Sequence, residues 1–552
     1  MRIAFVTARF RPDSPKGHDQ HTVSLVKALK LLGLEVEVFA PRDIAGLHPL
    51  AQRREEWHGV GVTWLHGGEQ ASPVEWAQAL DAFFERESPD VVHFDTMVGD
   101  GIALAEVVRT RGLASLVHLN DYRTLGQDAR ALGADLVPYD AEDMEARARG
   151  LLVDRLLDQH PGLGRHGGHL IPELVEPPFW EHLQALLHGP EAEGLEAARD
   201  EVQTYRERSA RAFESWSARF ANSRWLSAYF EEVLGTSVDG LLPGVERSTF
   251  AGLVPPRAGR GPVRFGFVGE MDKASGALLL LDAFAGLDGR AELRLFGSGD
   301  DRLFMRILRG HAQEVGARWY GAPEAGTRAQ IFDRIDVLVV PSLWAESAPY
   351  EVLEALAARR PVIVCDLEPT CEAVEHGQTG WHFAAGDVGA LRAAMLRFVE
   401  QPELLQQFEA NIPIPRDITE EAREWADAYA VAIATKASST LEAQAPPHLE
   451  ALAERYHELQ RLPTRELFEK VVGGLMGLSA RMGVELDPAE ALVRAVAAGG
   501  PGRDVRLAYE RIHEWLEGHA EDLKLGRQQL LEQEAHLRRE REQVQEREQS
   551  MT

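Results

Sequence analysis

Cysteine is nearly absent: the 552 residues contain two, Cys365 and Cys371. Two thiols exclude a disulfide scaffold and a multi-cysteine zinc site, and their scarcity fits a reducing compartment. Positive charge is also short. Lys and Arg number 59 against 87 Asp and Glu, a formal net charge of −28. A field of that sign repels nucleic acid and anionic lipid unless a local basic patch intervenes. No apolar run approaches the roughly 18–20 residues of a membrane helix. The opening MRIAFVTARF, broken by arginines, carries no signal-peptide h-region or cleavage site. A cytoplasmic protein without a nucleic-acid partner is expected. The rest of the composition is ordinary, with 45% hydrophobic and 26% charged residues, so disorder of the whole chain and collagen-like classes are excluded. At roughly 100–200 residues per domain, this length holds about three to five structural units.

Residues 3–7 (IAFVT) read as a buried parallel strand, followed by a Gly/Pro-bearing loop from Arg9 to His21. VSLVKALKLLGL then has helical spacing of its apolar positions, Gly33 stops it, and EVEVFA is the next strand. That is a βαβ unit. The alternation continues: strand VGVTWLH, helix VEWAQALDAFFE, strand PDVVHF, helix IALAEVVRTRG ended by Gly112, strand LASLVHL. Residues from about 121 to 215 show no clear strands and read as a helical insertion. RFANS resumes a strand, WLSAYFEEVLG a helix, and AGLVPPRAGRGP is the best domain boundary in the chain.

A second alternating series follows, from VRFGFVG to PVIVCD. The expected class is α/β: two Rossmann-like doubly wound domains, 1–248 and 262–412, facing a cleft that takes ligands at the carboxyl ends of both sheets. A return helix is expected over 413–436 and a helical extension over 447–552, after Ala445-Pro446-Pro447. In the tail Leu516, Leu523, Leu530, Leu537 and Val544 recur every seven residues, but Gly526, Gln533 and Glu540 make a poor complementary seam. Helix pairing, a solvated helix and a local hairpin all stay open, and a homo-oligomer or protein partner would use these helices.

Several stretches together resemble a known family, the retaining GT-B glycosyltransferases of the family-4 type (glycosyl transferases group 1). They are FVTARFRPDSPKGHDQHTVSLVKALKLLGLEVEVFAP, PDVVHF, LASLVHLND, ANSRWLSAYF with LLPGVERSTF, and PSLWAESAPYEVLEALAARRPVIVCDLEPTCEAVEHGQTGWHF. The resemblance runs from residue 1 to about 435. It implies transfer of a sugar from a nucleotide-diphosphate sugar to a glycan, lipid-linked or other acceptor, with retention, no cofactor and no bound metal. It also implies roles for residues. His118, closing LASLVHL, and Glu346 are the catalytic candidates. Gly17, Gly269, Lys273, Gly276, Ser347, Ala348, Pro349, Tyr350 and Glu354 lie toward the donor. Pro349 is expected in the first helical turn, where its missing N–H costs nothing, and free amides at that helix N-terminus can cradle a diphosphate. Glu354 would hold ribose hydroxyls. His93 is read as structural or acceptor-side. His160, His166 and His169 have no dependable metal-ligand spacing.

The pattern also breaks. The family's first glycine of a pair is Lys16 here. Its Gly-Arg after the second domain's first strand is Gly269-Glu270, and its Lys-Gly is Ser275-Gly276. A cation there would stabilise the departing diphosphate, an effect worth several kcal/mol at one site, and Glu270 reverses the sign. Lys273 is the nearest replacement along the chain, with Lys16, Arg9 and Arg11 as others. Arg359 stands where a left-handed glycine is usual, at a cost of about 1 kcal/mol. Two readings follow: an active transferase with a modified phosphate site, or a catalytically impaired GT-B-like binding or scaffold protein acting through its C-terminal helices.

Overall fold

In the computed structural model, the described residues are 1–443, apart from 9, 15, 69–70, 96–101, 121–142, 159–176, 190–193, 255, 257–260, 288, 300, 325 and 345–349. Two sheets organise them. The first has the order β3-β4-β2-β1-β5-β6-β7-β8, from β1 (Arg2–Val6), β2 (Glu35–Pro41), β3 (Gln52–Trp57), β4 (Val60–Leu65), β5 (Val91–Phe94), β6 (Ala114–Leu119), β7 (Ala218–Ala221) and β8 (Asp239–Gly240). The second has the order β11-β10-β9-β12-β13-β14, from β9 (Val263–Val268), β10 (Ala291–Phe296), β11 (Arg318–Trp319), β12 (Val337–Val340), β13 (Val362–Cys365) and β14 (Gly380–Phe383). Every pairing is parallel except β3 with β4.

Helices cover both faces, as parallel sheets require. Around the first sheet lie α1 (Gly17–Leu31), α2 (Pro73–Glu87), α3 (Ile102–Arg111) and α7 (Arg224–Leu234). Side chains alternate along each strand. Ala4, Val6, Val92, Phe94 and Val117 face Trp76, Phe83, Val108 and Phe230 of α2, α3 and α7. Ile3, Phe5, Val38 and Leu116 face the opposite way, onto Leu25 and Leu29 of α1. The 121–215 segment supplies α4 (Met144–Asp158), α5 (Pro177–His188) and α6 (Leu195–Glu214), with small apolar clusters of their own around Leu151, Val202 and Leu183. Caps fix several starts: Ser72 and Glu75 form a capping box on α2, and Ser223 accepts the N–H of Leu226 on α7.

Around the second sheet lie α8 (Ala277–Ala285), α9 (Arg302–Glu314), α10 (Arg328–Asp333), α11 (Tyr350–Ala357), α12 (Val388–Glu400) and α13 (Leu404–Asn411). The last helix, α14 (Ile418–Ala443), returns to the first sheet. Its Ile418, Ala422, Trp425, Tyr429 and Ala432 complete the core over α1. The crossing is fixed by backbone bonds, Val245 N–H to Arg416 O at 3.0 Å and Ile418 N–H to Val245 O at 3.1 Å. One compact unit, Met1–Lys436, contains both sheets and α14 as far as Lys436. The heptad leucines of the extension lie outside the described residues.

The structure departs from the sequence reading in four places. The first helix starts at Gly17, not at Val23: the polar GHDQHT segment is helical because Asp19, His21 and Thr22 are buried in specific polar contacts. Strand β3 (QRREEW) was invisible, since an antiparallel edge strand with an exposed face carries charges instead of an apolar run. Strand β14 and helix α12 were not assigned either. Arg359 does occupy the left-handed region, at φ 60°, and its guanidinium bonds Glu409 and the Ile412 carbonyl.

Candidate functional site

Asp95 directly follows β5 and His118 is the penultimate residue of β6, both at carboxyl ends and both 1% exposed. Asp95 accepts hydrogen bonds from Thr7 Oγ1 (3.1 Å), Thr22 Oγ1 (2.9 Å) and His118 Nδ1 (3.2 Å). Burial pushes its carboxyl pKa up, but the His118 bond and the neighbouring His18, His118 and His93 rings hold it well below the ordinary carboxylate range. In the neutral imidazole, donating Nδ1–H to Asp95 leaves the Nε2 lone pair for another group. That Nε2 is buried and has no hydrogen-bond partner among the described residues. The pair is therefore an oriented imidazole with one nitrogen uncommitted.

Helix α14 backs this dyad. Trp425 packs against the rings of His93 (4.2 Å between centroids) and His118 (5.0 Å). His93 Nδ1 lies 2.6 Å from Tyr429 Oη, and burial brings the His93 pKa down to about 3. His93 is thus a neutral packing residue. His21 Nε2 meets Glu421 Oε2 at 2.9 Å, and Glu421 also accepts from Gly244 N–H and Trp425 Nε1. Burial works against the charged forms, yet each partner stabilises the other: His21 is raised and Glu421 lowered. His93, Asp95 and His118 each offer a ligand atom within 4.8 Å of the others, the one such grouping among the described residues.

The second half meets the first here. The ring of Tyr350, first residue of α11, lies 4.6 Å from that of His21 and 5.5 Å from that of His18. Gly17 is needed at this approach: a Cβ there would stand 2.7 Å from Glu351 Oε1 and 3.1 Å from Tyr350 Cβ. Glu351 accepts from the Gly17 N–H, and burial raises its pKa. Glu354, one turn on, is bound to Arg328 of α10, whose Nε donates to Oε1 at 2.9 Å and whose second nitrogen reaches Oε2. Both Glu354 oxygens thus face a buried guanidinium. Glu346, Ser347, Ala348 and Pro349 lie outside the described residues.

Gly269 follows β9, its N–H bonded to Phe296 O at 3.1 Å. The next loop is closed by Asp272, which takes the Ser275 N–H (2.8 Å) while its carbonyl takes the Ser275 hydroxyl (2.7 Å). Gly276 precedes α8 at φ 71°, where a Cβ would overlap Pro341 O at 1.9 Å. Lys273 has a side chain 12% exposed, 3.9 Å from Asp301; burial lowers its pKa against the pull of Asp301 and Asp272. Lys16 Nζ reaches across to Glu270 Oε2 at 3.0 Å. So the structure brings His118, Gly17, Tyr350 and Glu354 to one junction and leaves Lys273 beside Asp301. Sequence reasoning missed Asp95, His21, Glu351, Arg328 and Glu421. Asp95 directly follows PDVVHF, a strand-end position that signals a site; Glu421 had no local signal.

Comparisons with known proteins agree with this layout. The Glycosyl transferase 4-like domain family matches residues 16–159, and the Glycosyl transferases group 1 family matches residues 262–401. A phosphatidyl-myo-inositol mannosyltransferase of Mycobacterium leprae is 26% identical over 180 residues, covering 32% of this chain and 46% of that protein. That of Mycolicibacterium smegmatis is 28% identical over 191 residues, covering 33% and 47%. The chain spans about half the length of the curated relatives it matches. Among solved structures, sucrose-phosphate synthase from Thermosynechococcus elongatus superposes with TM-score 0.52 at 16% identity, over 80% of this chain and 100% of that one. Anabaena HepE in complex with UDP-glucose gives 0.53 at 14%, over 78% and 99%. The catalytic domain of starch synthase IV from Arabidopsis thaliana, bound to ADP and acarbose, gives 0.53 at 11%, over 79% and 99%. At these identities the likeness concerns the fold.

Proposed function

This chain belongs to the group 1 glycosyltransferases and has their GT-B fold, and from that premise we propose that it transfers a sugar from a nucleotide-diphosphate sugar to a glycan or lipid-linked acceptor. The observation that carries the proposal is the junction itself. His18 and His21 of the first half meet Tyr350 of the second, and the His118–Asp95 dyad adjoins them through Thr22, the neighbour of His21, where the carboxyl ends of the two sheets approach each other. Ligands of such sheets bind beyond those ends. The UDP-glucose complex of HepE supports a nucleotide-sugar donor, and the names of the two curated relatives support a lipid-linked acceptor.

In this reading His118 Nε2 accepts a hydrogen bond from a donor-sugar hydroxyl, and Asp95 holds the ring for it. The bond from the anomeric carbon to the diphosphate oxygen breaks, and one to the acceptor hydroxyl oxygen forms on the same face. The acceptor's proton passes to the departing phosphate, and because both bonds lie on one face of the sugar the configuration is retained. Glu346, which follows β12 in the chain, is assigned to the donor sugar by the family resemblance alone. No metal ion enters the reaction. The impaired-binding reading has one observation in its favour, the commitment of both Glu354 oxygens to Arg328.

Thermal shift against UDP-, GDP-, ADP- and dTDP-sugars tests donor binding. At least one should raise the melting temperature, and His118→Ala should keep that shift while cutting turnover at least about tenfold, as loss of a positioned group in the transition state does. Binding without turnover in the parent protein establishes the impaired reading, and no binding at all removes the donor.

A further inference from the structure

We propose that Lys16 is the cation that meets the diphosphate of the nucleotide sugar, and that Glu270 holds it across the junction until the donor arrives; this rests on the glycosyltransferase reading above. The two residues are 254 positions apart and pair at 3.0 Å. Lys16 is the N-cap residue of α1, the helix that follows the central strand β1, and Glu270 stands two residues past the end of the central strand β9. In the first sheet β1 has β2 on one side and β5 on the other; in the second β9 has β10 and β12. Both strands therefore flank the points where strand order reverses, the places at which open parallel sheets take their ligands. The pair bridges those two points.

Charge sharpens the assignment. Two described cations of this region are already matched inside the protein: Lys273 lies beside Asp301, and Arg328 between Glu354 and Glu351. The side chains of Lys16 and Glu270 are 50% and 39% exposed. An exposed pair of single charges is weak, and a diphosphate with at least two negative charges displaces one carboxylate from an ammonium. Breaking the pair leaves no buried charge behind, since both side chains already reach solvent.

The exchange does not require the halves to part. Glu351 keeps the Gly17 N–H, and Glu372 accepts the Arg224 N–H at 3.3 Å, so two other carboxylates of the second half remain on helix N-termini of the first. Lys16 has no side-chain role in capping α1, which leaves it free to swing. The positive charge thus comes from the half opposite to Glu270, and the two departures from the family pattern become one arrangement.

The test is calorimetric titration of the full chain with UDP, GDP, ADP and dTDP. For whichever binds, Lys16→Ala should weaken affinity about tenfold or more, the range of a lost charge-assisted hydrogen bond. Glu270→Gln should tighten it about threefold by removing the competitor. These opposite signs exclude misfolding as the cause, because an unfolded variant gains no affinity. Unchanged affinity in Lys16→Ala, or weaker binding in Glu270→Gln, overturns the proposal while leaving the glycosyltransferase reading in place. If the parent chain binds none of the four, that reading fails and the proposal falls with it.

Discussion

At the scale of single residues, the site is a set of buried polar partners that must be satisfied together, because an unpaired buried charge is costly. His21 and Glu421 give this a pH signature. The His21 pKa is raised above its ordinary 6.5, so its contribution to stability is complete below that value and lost as pH climbs through the raised one. The Glu421 pKa is lowered below its ordinary 4.5, so its contribution is complete above that value and lost as pH falls through the lowered one. The melting-temperature gap between the parent protein and Glu421→Gln should therefore be widest between pH 4.5 and 6.5 and narrow above. A gap that stays constant from acid to alkaline pH would show that His21 carries no charge in the folded state.

At the scale of elements, α14 ties the end of the fold to its beginning. Trp425 is fully buried among His93, His118, Phe220 and Tyr429. Trp425→Ala should cost about 3–5 kcal/mol in denaturant unfolding and should disturb His118 with it; a loss below about 1 kcal/mol would mean that the helix is merely apposed. Most elements were legible because buried parallel strands read as apolar runs and their helices as three- and four-residue spacings. The Gly33 and Gly112 stops were readable for the same local reason, each at positive φ. What sequence could not supply was pairing over distance. Asp95 meets Thr22 of α1, and Glu421 meets His21 from 400 residues away, and no period or motif encodes such partners. The start of α1 was hidden likewise, since its first turn is buried by polar contacts instead of apolar ones.

At the scale of the whole molecule, two parallel sheets direct their carboxyl ends at a shared junction, and the residues that define it come from both. His118 and Glu354, each picked out by resemblance, lie there, but Glu354 is bound by Arg328, and Glu270, at the position of the family's arginine, is paired with Lys16. Among the described residues no helix is long and apolar enough to cross a membrane. The central claim is same-face transfer from a nucleotide sugar without a metal. Proton NMR of the first sugar released from a bound α-configured donor, followed in EDTA before mutarotation, tests it most directly. The account predicts the α-anomer, at a rate that EDTA leaves unchanged. Initial release of the β-anomer, or loss of turnover in EDTA with recovery on adding a divalent cation, would contradict it, the second result pointing to His93, Asp95 and His118 as ligands.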